Sequence, residues 1–179
     1  RDYKNAAKLF TEALSYDENL VEALLNRGVA QMEAGRFEDA EADFQAVLAR
    51  PKATEHVNAR FNIGILRTKQ LRWADAEREL TTVLADDPGY VRAGRERGIA
   101  RMKLEDFRGA LEDFLVVLRE EPKDPVSNYN AALCLLTTDR RDLAVRYMER
   151  TVAAAPDSDE ARKARRFLGG ETVFPGRER

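Results

Sequence analysis

The residue types best suited to chemistry are one cysteine, Cys134, and one histidine, His56, in a chain of 179 residues. With a single copy of each, the chain cannot form an internal disulfide or a zinc cluster built on several cysteines and histidines. No histidine adjoins Cys134 to activate it as a nucleophile, so we expect this residue to belong to the core and His56 to lie at the surface. No glycine-rich phosphate loop occurs either. The sequence therefore predicts no enzyme activity, no cofactor and no metal.

The composition excludes further classes of protein. Thirty Lys and Arg residues against 32 Asp and Glu give a net charge of −2, whereas dedicated nucleic-acid binders are usually basic. The apolar runs span only a few residues, too short to cross a membrane. A hydrophobic content of 44% is sufficient for a core, and 35% charged residues, together with many alanines and leucines, are typical of long helices. The chain starts at Arg1 rather than methionine, and we expect further sequence upstream.

Internal repeats carry most of the information. Four segments of similar pattern start at Val21, Val57, Val91 and Pro125, which are 36, 34 and 34 residues apart. Small residues recur at Gly28, Gly64, Gly98 and Ala132, alanines at Ala40, Ala76, Ala110 and Ala144, and large apolar residues at Phe44, Leu80, Phe114 and Met148. Each segment is predicted to form two amphipathic helices that cross closely at the small residues. Gly35 and Asp139 mark two of the turns between them, and Asp124 before Pro125 marks a helix start.

This spacing resembles the tetratricopeptide repeat, with Ala132 and Arg141 as departures from the pattern in the last repeat. The resemblance implies an all-α, right-handed α-solenoid of helix-turn-helix repeats with a C-terminal capping helix. The expected organisation is a second helix of a truncated leading repeat at 1–20, repeats at 21–56, 57–90, 91–124 and 125–158, a capping helix at 159–170 and a loose tail at 171–179.

In such a solenoid the first helix of each repeat lines a concave groove, and the resemblance places the partner-binding residues there. They are Leu25, Asn26, Val29, Phe61, Asn62, Ile65, Lys69, Arg92, Arg95, Ile99, Lys103, Tyr129, Asn130 and Leu133. Phe61 and Tyr129 are expected to project from the stack as anchors. Asn26, Asn62 and Asn130 share one repeat position and resemble a ladder that holds a ligand backbone. The alternative is that asparagine is simply frequent at this position.

The charge pattern suggests the kind of ligand. Lys69, Arg92, Arg95 and Lys103 fall at groove positions with apolar residues between them, which favours an acidic segment with apolar anchors. The alternative is that Arg97 and Arg101 point into contacts between repeats and pair with neighbouring acids. The carboxylate clamp of chaperone-binding relatives is not matched, because only Asn62 and Arg92 fit it. The acid-rich second helices are interpreted as solvated outer faces.

The predicted function is a non-enzymatic protein–protein interaction scaffold that binds a partner peptide or helix in the groove. The alternative is a regulatory or targeting domain of a larger enzyme or of a transport or assembly component. No nucleic acid and no transmembrane segment are expected. Leu9, Phe10, Ala13 and Leu14 lack the helix that would normally pack on them, and we expect this open edge to be covered by an upstream helix or, through self-association, by a neighbouring chain. The alternative is local fraying of the edge. The expected location is cytoplasmic, or periplasmic or lipid-anchored if a leader has been removed.

Overall fold

The computed structural model describes residues 2–51 and 55–171, and this part of the chain forms ten α-helices and no strand. The helices are α1 (Tyr3–Tyr16), α2 (Val21–Glu33), α3 (Phe37–Leu48), α4 (Glu55–Lys69), α5 (Trp73–Asp86), α6 (Val91–Lys103), α7 (Phe107–Glu120), α8 (Pro125–Leu136), α9 (Arg141–Ala154) and α10 (Asp159–Leu168). The predicted all-α repeat fold is confirmed. Of the predicted tail, all but Glu171 lies outside the described residues.

The chain divides into two compact units, Arg1–Asp87 (unit 1) and Pro88–Arg179 (unit 2). In unit 1, α1 packs on α2, and the pairs α2–α3 and α4–α5 form the two repeats. In unit 2, the pairs α6–α7 and α8–α9 form two more, and α10 packs on α9 and α8. Each pair therefore corresponds to one repeat of the sequence pattern.

Within each pair, the two helices meet where a small residue of the first faces a large residue of the second. A methyl group added at Gly28 would lie 2.6 Å from the Phe44 ring, and one added at Gly98 would lie 2.8 Å from the Phe114 ring. Both rings are fully buried. In the last repeat, the small residue is alanine, and the large one is the more adaptable Met148. The residue at the small position thus limits how closely each pair can approach.

The turn inside each repeat is closed in the same way. One residue has a positive φ, and the next donates its N–H to a carbonyl five residues back, as Arg36 does to Gln31 and Arg72 does to Arg67. This is the Schellman closure of a helix end. The residues with positive φ are Gly35, Leu71, Glu105 and Asp139. Only the first and last were recognisable from sequence, because leucine and glutamate rarely adopt this conformation.

Side chains cap the starts of α8 and α10 in unit 2, and the cap predicted at Asp124 is confirmed. The Asp124 carboxylate accepts from the Ser127 N–H at 2.8 Å, and Pro125 occupies the first turn of α8. Ser158 accepts from the Ala161 N–H at 3.1 Å at the start of α10. One face of α10 buries Ala161, Ala164 and Phe167, while its arginines face outward. This helix therefore covers apolar surface of α8 and α9 in unit 2.

At the other end, α1 is only partly covered. Phe10, Ala13 and Leu14 are half-buried, and Leu14 packs on the cluster that contains Leu24. Leu9, by contrast, is 66% exposed. Of the four residues expected to form an apolar edge, only Leu9 is thus largely open to solvent.

The close approach in α6 predicts opposite outcomes for two glycines of that helix. Gly98→Ala forces a methyl group against the fully buried Phe114 ring, and such overpacking costs about 1–3 kcal/mol. Gly94→Ala meets only Val117, at 3.4 Å, and removing a helical glycine stabilises by up to about 1 kcal/mol. Urea unfolding should therefore show Gly98→Ala to be less stable and Gly94→Ala to be as stable as the parent or more so.

A second substitution tests the mechanism. Because Met148 already packs beside an alanine in the last repeat, Phe114→Met should recover part of the stability that Gly98→Ala loses. Equal stability of the two alanine variants would contradict the role of the close approach.

Candidate partner-binding surface

In unit 1, the first helices of the two repeats, α2 and α4, lie side by side and form one face. An ion pair of 3.0 Å between Glu33 and Lys69 joins the C-terminal ends of these two helices. Leu25, Val29 and Ile65 are half-buried and pack on the core of this unit. The face thus combines partly open apolar side chains with a cation that already has an internal partner.

Two asparagines lie on these same first helices. Asn26 on α2 is exposed and Asn62 on α4 is half-buried. Within the described residues, neither side-chain amide has a hydrogen-bond partner. A side-chain amide can both donate to and accept from a peptide backbone. The two amides are therefore available for an external hydrogen bond.

In unit 2, the corresponding face is built from α6 and α8, which are in contact. Arg92 and Lys103 are exposed near the two ends of α6, and Ile99 between them is half-buried. Asn130 on α8 is half-buried, and its amide also has no partner among the described residues. This face therefore offers two exposed cations, one apolar side chain and one amide.

Arg95 has a structural role in this unit. Its Nη1 donates to Oδ1 of Asp124 at 2.9 Å, and the other oxygen of that carboxylate caps the start of α8. Asp124 is buried, so losing Arg95 would leave its charge without a counterion. The prediction that Arg95 is a free groove cation is therefore wrong, because the start of α8 uses its charge.

Other cations of the first helices are also neutralised within the repeat. Arg97 donates twice to the buried Asp113 carboxylate, at 3.0 and 2.6 Å, and Arg101 donates to it at 3.0 Å. In unit 1, Arg27 makes the same two-pronged contact with Asp43, at 2.8 and 2.7 Å. The alternative prediction, that Arg97 and Arg101 pair with neighbouring acids, is confirmed. Because Arg97 and Arg101 are paired, α6 has less positive charge available for a ligand than its sequence indicated.

Three predicted surface residues are buried instead. Phe61 is 3% exposed, and Tyr129 and Leu133 are each 7% exposed, so the prediction that Phe61 and Tyr129 project from the stack is wrong. The physical reason is that these helices have neighbours on several sides. Helix α4 contacts α2, α3 and α5, and α8 contacts α6, α7, α9 and α10. The buried arc of each helix is therefore wider than the sequence pattern indicated.

The groups singled out for chemistry are not arranged for it. Cys134 is 1% exposed, and burial raises the pKa of its thiol to about 12, so it stays protonated and weakly nucleophilic near neutral pH. Across residues 2–51 and 55–171, no three His, Cys, Asp or Glu side chains are grouped so as to hold a metal ion. None of the helices in these ranges has the length and apolar character of a bilayer-spanning segment.

Comparison with known proteins identifies the repeat. Two family models, both described as tetratricopeptide repeat, match the chain. The first matches residues 1–59, and the second matches residues 61–125 and 95–159. The curated relatives include tetratricopeptide repeat protein 16 of Homo sapiens and of Macaca fascicularis, each 27% identical over 128 residues. That alignment covers 69% of this chain but only 15% of either relative.

Solved structures share the fold at low sequence identity. The crystal structure of MamA is 21% identical with a TM-score of 0.74, and the match covers 92% of each chain. YrrB, described as a TPR protein with an unusual peptide-binding site, is 18% identical with a TM-score of 0.72, covering 92% of this chain and 84% of that one. A MamA structure from Desulfovibrio magneticus RS-1 is 21% identical, with a TM-score of 0.74 and 88% of each chain covered.

The burial of Phe61 predicts a large loss of stability on truncation. Phe61→Ala should lower the free energy of unfolding by about 3–5 kcal/mol, the usual range for a buried phenylalanine. Leu9→Ala, at a site 66% exposed, is the control and should change it by about 0.5 kcal/mol or less. Urea unfolding of both variants checks this. A Phe61→Ala protein as stable as the control would contradict the burial of Phe61.

The raised pKa of Glu96 predicts that its replacement by glutamine stabilises the protein in a pH-dependent way. Burial raises its pKa above the ordinary value of 4.5, and the attraction of Arg95 and Arg92 offsets this only in part. The ionised form is therefore less favourable in the folded chain than in the unfolded chain, and Glu96→Gln should stabilise the protein at pH 7. The gain should shrink as the pH falls towards 4.5 and vanish well below it, where the carboxyl is protonated in both states. Thermal unfolding at both pH values measures it, and a variant less stable than the parent at pH 7 would contradict it.

Proposed function

This chain belongs to the tetratricopeptide repeat family, and we propose that it is a non-enzymatic scaffold that binds a segment of a partner protein on its first-helix faces. The observation that carries this proposal is the pair of unpartnered amides, Asn26 and Asn62, on the two neighbouring first helices of unit 1. The half-buried Leu25, Val29 and Ile65 lie on the same helices and supply apolar contact. Backbone hydrogen bonds together with side-chain burial suit an extended peptide.

In unit 2, two exposed cations on α6 favour an acidic ligand, fewer than the sequence indicated. Arg92 and Lys103 are exposed on α6, with Ile99 between them. Arg95 and, in unit 1, Lys69 already pair with Asp124 and Glu33. Because both side chains are exposed, we propose that carboxylates of the ligand approach Arg92 and Lys103, which would steer its association.

The fold relatives support the class of function. YrrB shares this fold, and its structure is described as having a peptide-binding site. The alternative role, a regulatory or targeting domain within a larger protein, is supported by the curated relatives, of which the matched region is only 15%. Self-association through the α1 edge and a cytoplasmic location stay predictions.

The asparagine pair supplies the test of the scaffold proposal. Peptides selected from a random phage-displayed library on the wild-type chain are to be titrated against Asn26→Ala/Asn62→Ala by fluorescence anisotropy. Loss of two hydrogen bonds worth about 1 kcal/mol each should weaken binding by roughly tenfold or more. The fold should be unaffected, because neither amide has an internal partner among the described residues.

The matched control is Gln45→Ala, which removes an exposed amide from the second helix α3. It should leave the affinity unchanged. Equal affinities of the wild type and the asparagine variant for every selected peptide would argue against binding at the first-helix face of unit 1.

A further inference from the structure

A second surface, on the second helices of unit 2, has features that the repeat fold does not require. Side chains of α7 and α9 line two neighbouring depressions of about 560 and 400 Å³, which share Leu118 and Arg150. Leu115, Val116 and Tyr147 line the larger one. Pro122 and Lys123 border the smaller one. We call this pair of depressions the α7–α9 groove.

The apolar residues of the groove depart from the pattern of the other repeats. Leu115 and Val116 are adjacent on α7 and are 38% and 43% exposed. The residues at the same two repeat positions are Gln45 and Ala46 in α3, Thr81 and Thr82 in α5, and Glu149 and Arg150 in α9. Because those helices form with polar or small residues there, the fold does not account for Leu115 and Val116.

Tyr147 is a second departure. Its repeat position holds Asp43, Glu79 or Asp113 in the other three repeats, and each of these acids pairs with an arginine of its own repeat. Tyr147 instead lines the groove and packs against the α7–α8 core, and the Arg150 guanidinium lies 5.0 Å from the centre of its ring. A guanidinium over an aromatic ring keeps its charge and its planar hydrogen-bond donors.

The rim of the groove is positively charged. In the part of the chain that the structure describes, no carboxylate lies within ion-pair distance of Arg119, Lys123 or Arg150. Glu112 lines the larger depression and pairs with Arg108 at 3.4 Å, while Asp124, which borders a neighbouring depression beside Lys123, pairs with Arg95 at 2.9 Å. Glu121 borders the same neighbouring depression. The three cations consequently outweigh the acids at the rim.

We propose that the α7–α9 groove binds an acidic segment of a partner protein that carries two apolar side chains, one for each depression. Charge complementarity selects this occupant, since ligand carboxylates would meet Arg119, Lys123 and Arg150. A second copy of the chain, seated on the same groove about a twofold axis, would bring these cations against each other. The site is separate from the first-helix faces, so it does not depend on the proposed function.

The experiment uses substitutions that the chain itself supplies. Random dodecapeptides displayed on phage are selected on the wild-type protein and then measured against Leu115→Thr/Val116→Thr, which copies the residues of α5. A second variant, Arg119→Glu/Arg150→Glu, reverses the rim charge. Arg165→Glu on α10, at an exposed arginine outside both proposed sites, is the control for charge elsewhere in unit 2, and circular dichroism verifies the fold of each variant.

The expected result is a group of selected peptides rich in Asp and Glu with two apolar residues. Their binding should weaken at least tenfold on both groove variants and stay unchanged on Arg165→Glu. It should also survive Asn26→Ala/Asn62→Ala, so failure here and failure of the first-helix proposal give different patterns.

Four outcomes would overturn the proposal. One is that no selected peptide distinguishes the wild type from Leu115→Thr/Val116→Thr. Another is that the groove-dependent peptides show no preference for acidic residues. The third is concentration-dependent self-association that Leu115→Thr/Val116→Thr abolishes, which would make a second copy the occupant. The last is groove-dependent binding of phosphatidylserine vesicles in place of any peptide, which would make the groove a membrane contact.

Discussion

The close approach of the two helices within each repeat is the constraint on which the rest of the structure depends. A glycine at Gly28, Gly64 or Gly98 lets a buried ring or branched side chain lie directly against the helix backbone. This contact fixes which side of each first helix faces its second helix. The faces left for partners follow from it, because each helix must also pack on the next repeat of its unit.

Packing of this kind decides how charge is distributed as well. The buried acids Asp43 and Asp113 each receive a two-pronged arginine contact, and Asp124 both caps α8 and pairs with Arg95. A buried carboxylate without its cation would be strongly destabilising. Several arginines are therefore part of the scaffold, and only cations outside these pairs are suited to recognising a ligand.

The repeats also serve as controls for one another. Where three of them agree, a residue is explained by packing, and where one departs, as at Leu115 or Tyr147, another cause is required. Sequence reasoning passed over these two residues because it treated the second helices as solvated outer faces. The signal that could have found them was a large apolar or aromatic residue at a repeat position that is otherwise polar, small or acidic.

The sequence by itself determined the repeat length, the helix pairing and the small-against-large contacts, because these depend on residues at short, regular spacing within one repeat. It also predicted the α8 cap at Asp124. Only the tertiary structure decided that Phe61 is buried and that Arg95 holds Asp124, because burial and ion pairing depend on neighbouring helices that the pattern of a single helix does not contain. The same holds for Leu71 and Glu105, whose positive φ is imposed by the turn that joins two packed helices rather than by their own preference.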